Sequence, residues 1–137
     1  MLIQDDQVLA VEYQAQDGVL YALPGGGQRD GEPLPVTLQR ECREELGVDV
    51  SVGALLFVRE WIDPDRSIHQ VEFIYRCSSR TIQEIHSAVP DSDQVGVRWL
   101  PLNDIMDYRL YPLEMRDHLP RLAQGPRTGP VYLGFGR

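Results

Sequence analysis

Glu41, Glu44 and Glu45 stand within five consecutive residues, behind the glycine run Gly25-Gly26-Gly27. On a helix advancing about 100° per residue, the three carboxylates share an arc of about 100°. That placement is costly for a purely structural helix. Glu41 and Glu45 are a like-charge i,i+4 pair, unfavourable by about 0.2–0.5 kcal/mol. Glu44 and Glu45 also fall in the last turn, where the helix dipole prefers cations by roughly 0.3–1 kcal/mol per charge. A solvated face with an Arg40–Glu44 ion pair would account for the acids but not for the glycines. A divalent cation accounts for both. Mg²⁺ takes oxygen ligands and is commonly held by a few carboxylates together with substrate phosphates. Glycine backbone can approach such a cluster closely, offering carbonyls to the ion or amides to phosphate oxygens.

These residues need a loop and a helix to position them, and the surrounding pattern supplies both. Gly25 to Pro33 is rich in turn formers, and from Leu34 to Leu46 the periodicity is helical, with Leu38, Cys42 and Leu46 on one stripe directed at the core. Pro35 lies in the first turn and Gly47 follows as a C-terminal stop. Pro33 and Leu34 stand where a Ser, Thr, Asp or Asn cap is expected, so the first turn is expected to fray. Before the loop, Met1–Ile3 and Gln7–Tyr13 read as a hairpin about Asp5-Asp6, with Val19–Leu23 a third strand. After the helix, Val50–Trp61 and Ser67–Cys77 read as strands joined by residues 62–66. Val71, Phe73 and Tyr75 alternate with Glu72 and Arg76, which predicts a buried apolar face. Val95–Leu100 follows as a strand, Asn103–Met106 as a helical turn, Leu113–Leu122 as a short helix strained by Pro120, and Val131–Leu133 as a last strand. The reading is one α+β domain over residues 1–137.

Composition narrows the chemistry. The chain has 137 residues, 42% of them hydrophobic, which suits one core. All thirteen basic residues are arginine, so chemistry that needs a lysine is excluded: a Walker-A phosphate loop, a protein kinase, a Schiff base. Arginine still serves phosphate through its bidentate fork. The net charge of −8 disfavours nonspecific nucleic-acid or anionic-membrane binding. No apolar run is long enough to span a membrane, the first residues carry no secretory-signal pattern, and two cysteines fit a reducing cytoplasm.

Gly26, Glu32 after five intervening residues, and Arg40-Glu41-Cys42-Arg43-Glu44-Glu45-Leu46-Gly47-Val48 after seven more resemble the signature box of the Nudix hydrolases, here residues 26–48. Every fixed position is filled; Cys42 takes an apolar position, as a buried thiol can. Arg98-Trp99-Leu100-Pro101-Leu102 also resembles a strand end common late in that fold. The resemblance implies an α/β/α sandwich around a central mixed β-sheet, and Mg²⁺- or Mn²⁺-dependent hydrolysis of a diphosphate linked to another moiety. It implies that Glu41, Glu44 and Glu45 ligate the metal, one of them assisting the attacking water, with Gly25 lending a carbonyl. Glu32 and Arg40 would pair to hold loop against helix, and Gly25, Gly26 and Gly27 would line the substrate. Arg59 is a candidate for a substrate phosphate. Glu72, Glu84, Asp91 and Asp93 are candidates for a general base outside the box.

The substrate itself is less legible. Pro64 stands sixteen residues beyond Val48, like a marker of the ADP-ribose pyrophosphatases, but a turn at Asp63-Pro64-Asp65 explains it equally. Asp65 and Arg66 stand where dinucleoside polyphosphate hydrolases carry a tyrosine. His69, His86 and His118 lack metal-ligand spacing. Two alternatives remain: a noncatalytic nucleotide-sensing domain, and a relative of isopentenyl-diphosphate isomerase, which needs a catalytic cysteine. Homodimers are common in the family, though no interface is fixed by the sequence. Met1 begins the first strand abruptly, so either that edge strand is short or the start lies upstream.

Overall fold

A computed structural model describes residues 1–82, 94–125 and 129–136. Ile3–Gln4 (β1) and Gln7–Ala15 (β2) form the expected hairpin, with Asp5 and Asp6 at positive φ of 51° and 57° in its turn. Gly18–Ala22 (β3) pairs antiparallel with β2. Leu34–Leu46 is the first helix (α1). Ser51–Asp63 (β4) and Ile68–Ser78 (β5) pair antiparallel, and Gln94–Pro101 (β6) returns to β2. A 3-10 turn at Leu102–Asp107 leads to Leu110–Tyr111 (β7), parallel to β3. Val131–Gly136 (β8) lies parallel to β4. The described residues thus form two mixed sheets, one of β1, β2, β3, β7 and β6, the other in the order β5-β4-β8.

Helical segments cover two sides of this framework, and β2 shows why. Its apolar residues are buried on both faces, so it reads as a nearly continuous apolar run. Val8 and Ala10 pack with Phe57, Leu100, Ile105, Met115, Leu119 and Leu122. Leu9 packs on the other side with Cys42 and Leu46 of α1, Val48, Val50 and Cys77. The stripe predicted on α1 therefore reaches the core, with Leu38 partly buried beside it. Each fully buried Leu in this set contributes about 1.5–3 kcal/mol by leaving water.

Three local expectations change. Val71 and Phe73, expected on a buried face, are 48% and 43% exposed, whereas Ile74 is buried. Coverage decides this: Ile74 sits opposite Phe57 in the core, while Phe73 and Val71 share a face with Tyr75 and Cys77 but line the open cleft instead of the packed cluster. The Leu113–Leu122 helix is split into a 3-10 turn at Leu113–His118 and a short helix Leu119–Leu122 (α2). The break puts Pro120 in the first turn of α2, where its missing N–H is not needed. The first turn of α1 has no cap from Pro33, but Glu32 anchors it by accepting from the Thr37 hydroxyl at 2.8 Å. Gly47 ends the helix at φ 69°, its N–H donating to the Arg43 carbonyl at 3.0 Å.

Candidate active site

The residues joining loop to helix are arranged around Arg40. Its Nε donates to Glu32 Oε1 at 2.8 Å and its Nη2 to Glu32 Oε2 at 3.0 Å, a bidentate fork. The same Nη2 donates to the Gly27 carbonyl at 3.0 Å. Glu32 also accepts from the Arg29 backbone N–H at 3.2 Å. The Arg40 guanidinium is the largest influence on Glu32 and, against some desolvation, holds its carboxyl down to about 2. Glu32 reciprocally holds Arg40 firmly protonated. The Thr37 contact, which no reading of the sequence anticipated, lies five residues beyond Glu32 and is visible only once the helix start is known.

The acidic face of α1 meets this loop directly. Glu41 is 15% exposed at its side chain and accepts from Arg40 Nη1 at 2.6 Å. The bare α-carbon of Gly26 lies over that carboxylate, and a methyl group there would collide with it. Gly25, at φ 153°, donates its N–H to Glu45 Oε2 at 3.0 Å. Glu44 accepts from Arg40 Nη1 at 3.2 Å and pairs with Arg29 at 3.4 Å. Both ends of the glycine run are thereby fixed to the helix.

The donor set fits a hard divalent cation. It is all oxygen, and added Cβ atoms at Gly25 and Gly27 would meet open space, so a phosphate could approach there. Four carboxylates (Glu32, Glu41, Glu44, Glu45) face two guanidinium groups (Arg29, Arg40), leaving an excess of two negative charges that one such ion would balance. Among the described residues no three acidic, His or Cys side chains converge closely enough to hold a metal ion as they stand. The reason is electrostatic: Arg40 draws Glu41 and Glu44 to itself, and the Gly25 N–H draws Glu45.

A cleft of about 570 Å³ opens beside the loop, within the size range of small-molecule sites. Gly25, Gly26 and Gly27 line one wall and residues 70–75 of β5 the other, with Tyr111 and Pro112 also present. Arg59 lines it too, but its side chain is only 9% exposed and is held by Glu72 at 3.0 Å and, more loosely, Glu114 at 3.6 Å. Its buried Nε makes no hydrogen bond among the described residues. A Cβ at Gly136 would stand 2.5 Å from Arg59 Nη2, so a larger residue there would displace the guanidinium. Glu72 lies in the cleft beside Arg59, whereas Glu84, Asp91 and Asp93 fall outside the described residues. The β5 wall escaped sequence reading because it depends on which edge of a strand remains open.

The remaining candidates are placed elsewhere. Asp63 Oδ1 accepts from the N–H groups of Asp65 and Arg66, both at 3.1 Å, so Pro64 sits in a side-chain-capped turn and does not line the cleft. His69 pairs with Glu60 at 2.5 Å, His118 packs against the Phe57 ring, and His86 is outside the described residues. Cys42 and Cys77 are both buried, and burial pushes the Cys42 thiol up to about 12. No helix among the described residues is long and apolar enough to cross a membrane.

Comparison with known proteins gives this geometry a family. The family model for the NUDIX domain matches residues 1–122. No curated protein matches the chain. Among solved structures, the MutT protein of Methanosarcina mazei Go1 is similar at a TM-score of 0.70 and 16% identity, over 90% of this chain and 88% of that one. The MutT NUDIX hydrolase of Burkholderia pseudomallei is similar at 0.62 and 27%, over 74% and 78%. An ADP-ribose pyrophosphatase of Streptococcus suis 89-1591 is similar at 0.62 and 20%, over 96% and 92%. With its box intact at residues 26–48 and the domain match extending from β1 through α2, the chain belongs to the Nudix family of pyrophosphohydrolases.

Proposed function

We propose that this protein hydrolyses a nucleoside diphosphate linked to another moiety, such as a nucleotide sugar, an ADP-ribose-like compound or a nucleoside triphosphate, with Mg²⁺ or Mn²⁺. The observation that carries the reading is the contact between Gly26 and the Glu41 carboxylate, beside a cleft of small-molecule size. Glu41, Glu44 and Glu45 would hold the ion, with the Gly25 carbonyl as a further oxygen. When bound, such an ion neutralises phosphate charge and lowers the pKa of a coordinated water.

The chain's own groups do the rest. One of the three carboxylates accepts the proton of the attacking water. Arg40 and Glu32 keep the glycine backbone at its distance from α1, so the diphosphate is received by a fixed wall. Arg59 places a cation at the cleft, its orientation set by Glu72 and Glu114. The Streptococcus suis neighbour, an ADP-ribose pyrophosphatase by its name, supports a nucleoside diphosphate derivative as the substrate class.

The alternatives fare less well. All three box carboxylates are present, which favours turnover over sensing alone. An isomerase mechanism lacks its nucleophile, because Cys42 and Cys77 both lie in the apolar cluster beneath α1. The test is phosphate or nucleotide release from ADP-ribose, dinucleoside polyphosphates, NADH and oxidised nucleoside triphosphates with Mg²⁺, comparing wild type with Glu45→Gln. Turnover by wild type and its loss in Glu45→Gln support the proposal. Binding without turnover of any compound would replace it with the sensor reading.

A further inference from the structure

The cleft has an unusual second wall: consecutive residues Gln70 to Tyr75 line it. Side chains on a strand alternate between faces, so a run of neighbours can line one cavity only through the strand's edge. Strand β5 is such an edge, since among the described residues β4 is the strand that pairs along it and the isolated bridge from Leu2 touches only Cys77. The direction of its free groups follows from that bridge. The Cys77 N–H donates to the Met1 carbonyl at 2.8 Å, and the Met1 amino group donates to the Tyr75 carbonyl at 2.6 Å. Tyr75 and Cys77 therefore turn their backbone groups away from β4. The register shifts of this pair lie in β4, where Val52, Leu55 and Phe57 oppose Cys77, Tyr75 and Ile74, so the alternation along β5 is regular. Phe73 and Val71 accordingly aim N–H and C=O at the cleft.

Resting on the hydrolase reading above, the geometry points to the backbone of Phe73 and Val71 as the element that receives the nucleobase of the substrate. If the diphosphate occupies the Gly25–Gly27 wall, the other end of the molecule reaches the β5 wall of the same cleft. One residue there presents a donor beside an acceptor. That pair matches a planar heterocycle carrying an acceptor beside a donor, and every common nucleobase has such an edge. Two consequences follow. The site requires a base, and it tolerates exchange of one base for another, because a backbone pair carries no side chain that could reject one. The exposed Val71 and Phe73 side chains flank the edge without closing it.

The experiment uses backbone ¹⁵N–¹H spectra and turnover of the full chain. ADP-ribose and its UDP and GDP counterparts with the same sugar are compared with the abasic ribosyl diphosphate. The Phe73 and Val71 amide signals shift on adding ADP-ribose and stay in place on adding inorganic pyrophosphate. Wild type shows a KM at least tenfold lower for the nucleotides than for the abasic compound, with the bases within about threefold of one another. Phe73→Pro removes the cleft-facing N–H while leaving the β4 ladder its bonds, as proline does at sheet edges. It raises the nucleotide KM until the preference falls below about threefold, whereas Phe73→Leu, which keeps the N–H, retains the preference. Should Phe73→Pro fail to fold, the amide shifts of wild type decide. Turnover with both amides unmoved by ADP-ribose, or a Phe73→Pro enzyme with undiminished preference, overturns this inference and leaves the hydrolase reading standing. Absence of both binding and turnover for every compound overturns the two together.

Discussion

The α-carbon of Gly26 and the carboxylate of Glu41 are in such close contact that no side chain fits between them. One residue belongs to the loop and the other to the helix, so the contact sets their spacing. Because the obstacle to a larger residue is the tip of a flexible side chain, Glu41 can yield, but only by leaving its position. Gly26→Ala is therefore expected to lower kcat/KM about 10- to 100-fold while shifting Tm by only a few degrees. Steady-state kinetics and a thermal melt on the same preparation check both halves.

Arg40 serves Glu32, the Gly27 carbonyl, Glu41 and Glu44 at once, through a planar fork that lysine lacks. Arg40→Lys keeps the charge and loses the simultaneous contacts. We expect a kcat/KM loss of at least tenfold and faster amide exchange at Gly26 and Gly27, measured by hydrogen exchange. Wild-type exchange rates in the variant would contradict this role.

The Glu32 carboxyl is held at about 2 in the folded protein, below its ordinary 4.5, chiefly by Arg40. A depressed acid favours the folded state wherever the carboxylate persists in both states. Its contribution is thus complete above about 4.5 and is lost as the pH falls through about 2. Urea midpoints measured from pH 6 down to pH 2 should fall more steeply for wild type than for Glu32→Gln, the two curves converging at the acid end.

Cys42 and Cys77 are packed among Leu2, Leu9, Leu46, Val48 and Val50. A thiol reagent should find neither cysteine in the native protein and both after denaturation, as an absorbance titration would show. Prompt reaction in the native state would contradict the packing beneath α1.

Much of this was readable before any coordinates. The ends of α1 were legible because Pro35, the Leu38-Cys42-Leu46 stripe and Gly47 give independent signals that agree, and the first hairpin because Asp5-Asp6 tolerate positive φ. The coverage of β5 was not. Apolar alternation at Val71 and Phe73 suggests burial, yet only Tyr75 and Cys77 of that face are packed, and Val71 and Phe73 border the open cleft. Spacing likewise predicts that Glu41, Glu44 and Glu45 share a helix face and that Arg40 can reach Glu44, but not that Glu45 accepts from the Gly25 N–H, which the loop brings in from twenty residues earlier. The cleft wall at β5 was invisible for the same reason, being a property of sheet order.

The most direct test is a Mn²⁺ titration, followed by the paramagnetic resonance of the free ion, with a nonhydrolysable ADP-ribose analogue present. Saturable uptake by wild type, weakened at least tenfold in each of Glu41→Gln, Glu44→Gln and Glu45→Gln, is the predicted result. Uptake that is absent, or that is indifferent to all three substitutions, would contradict the assignment of the helix face as the metal site.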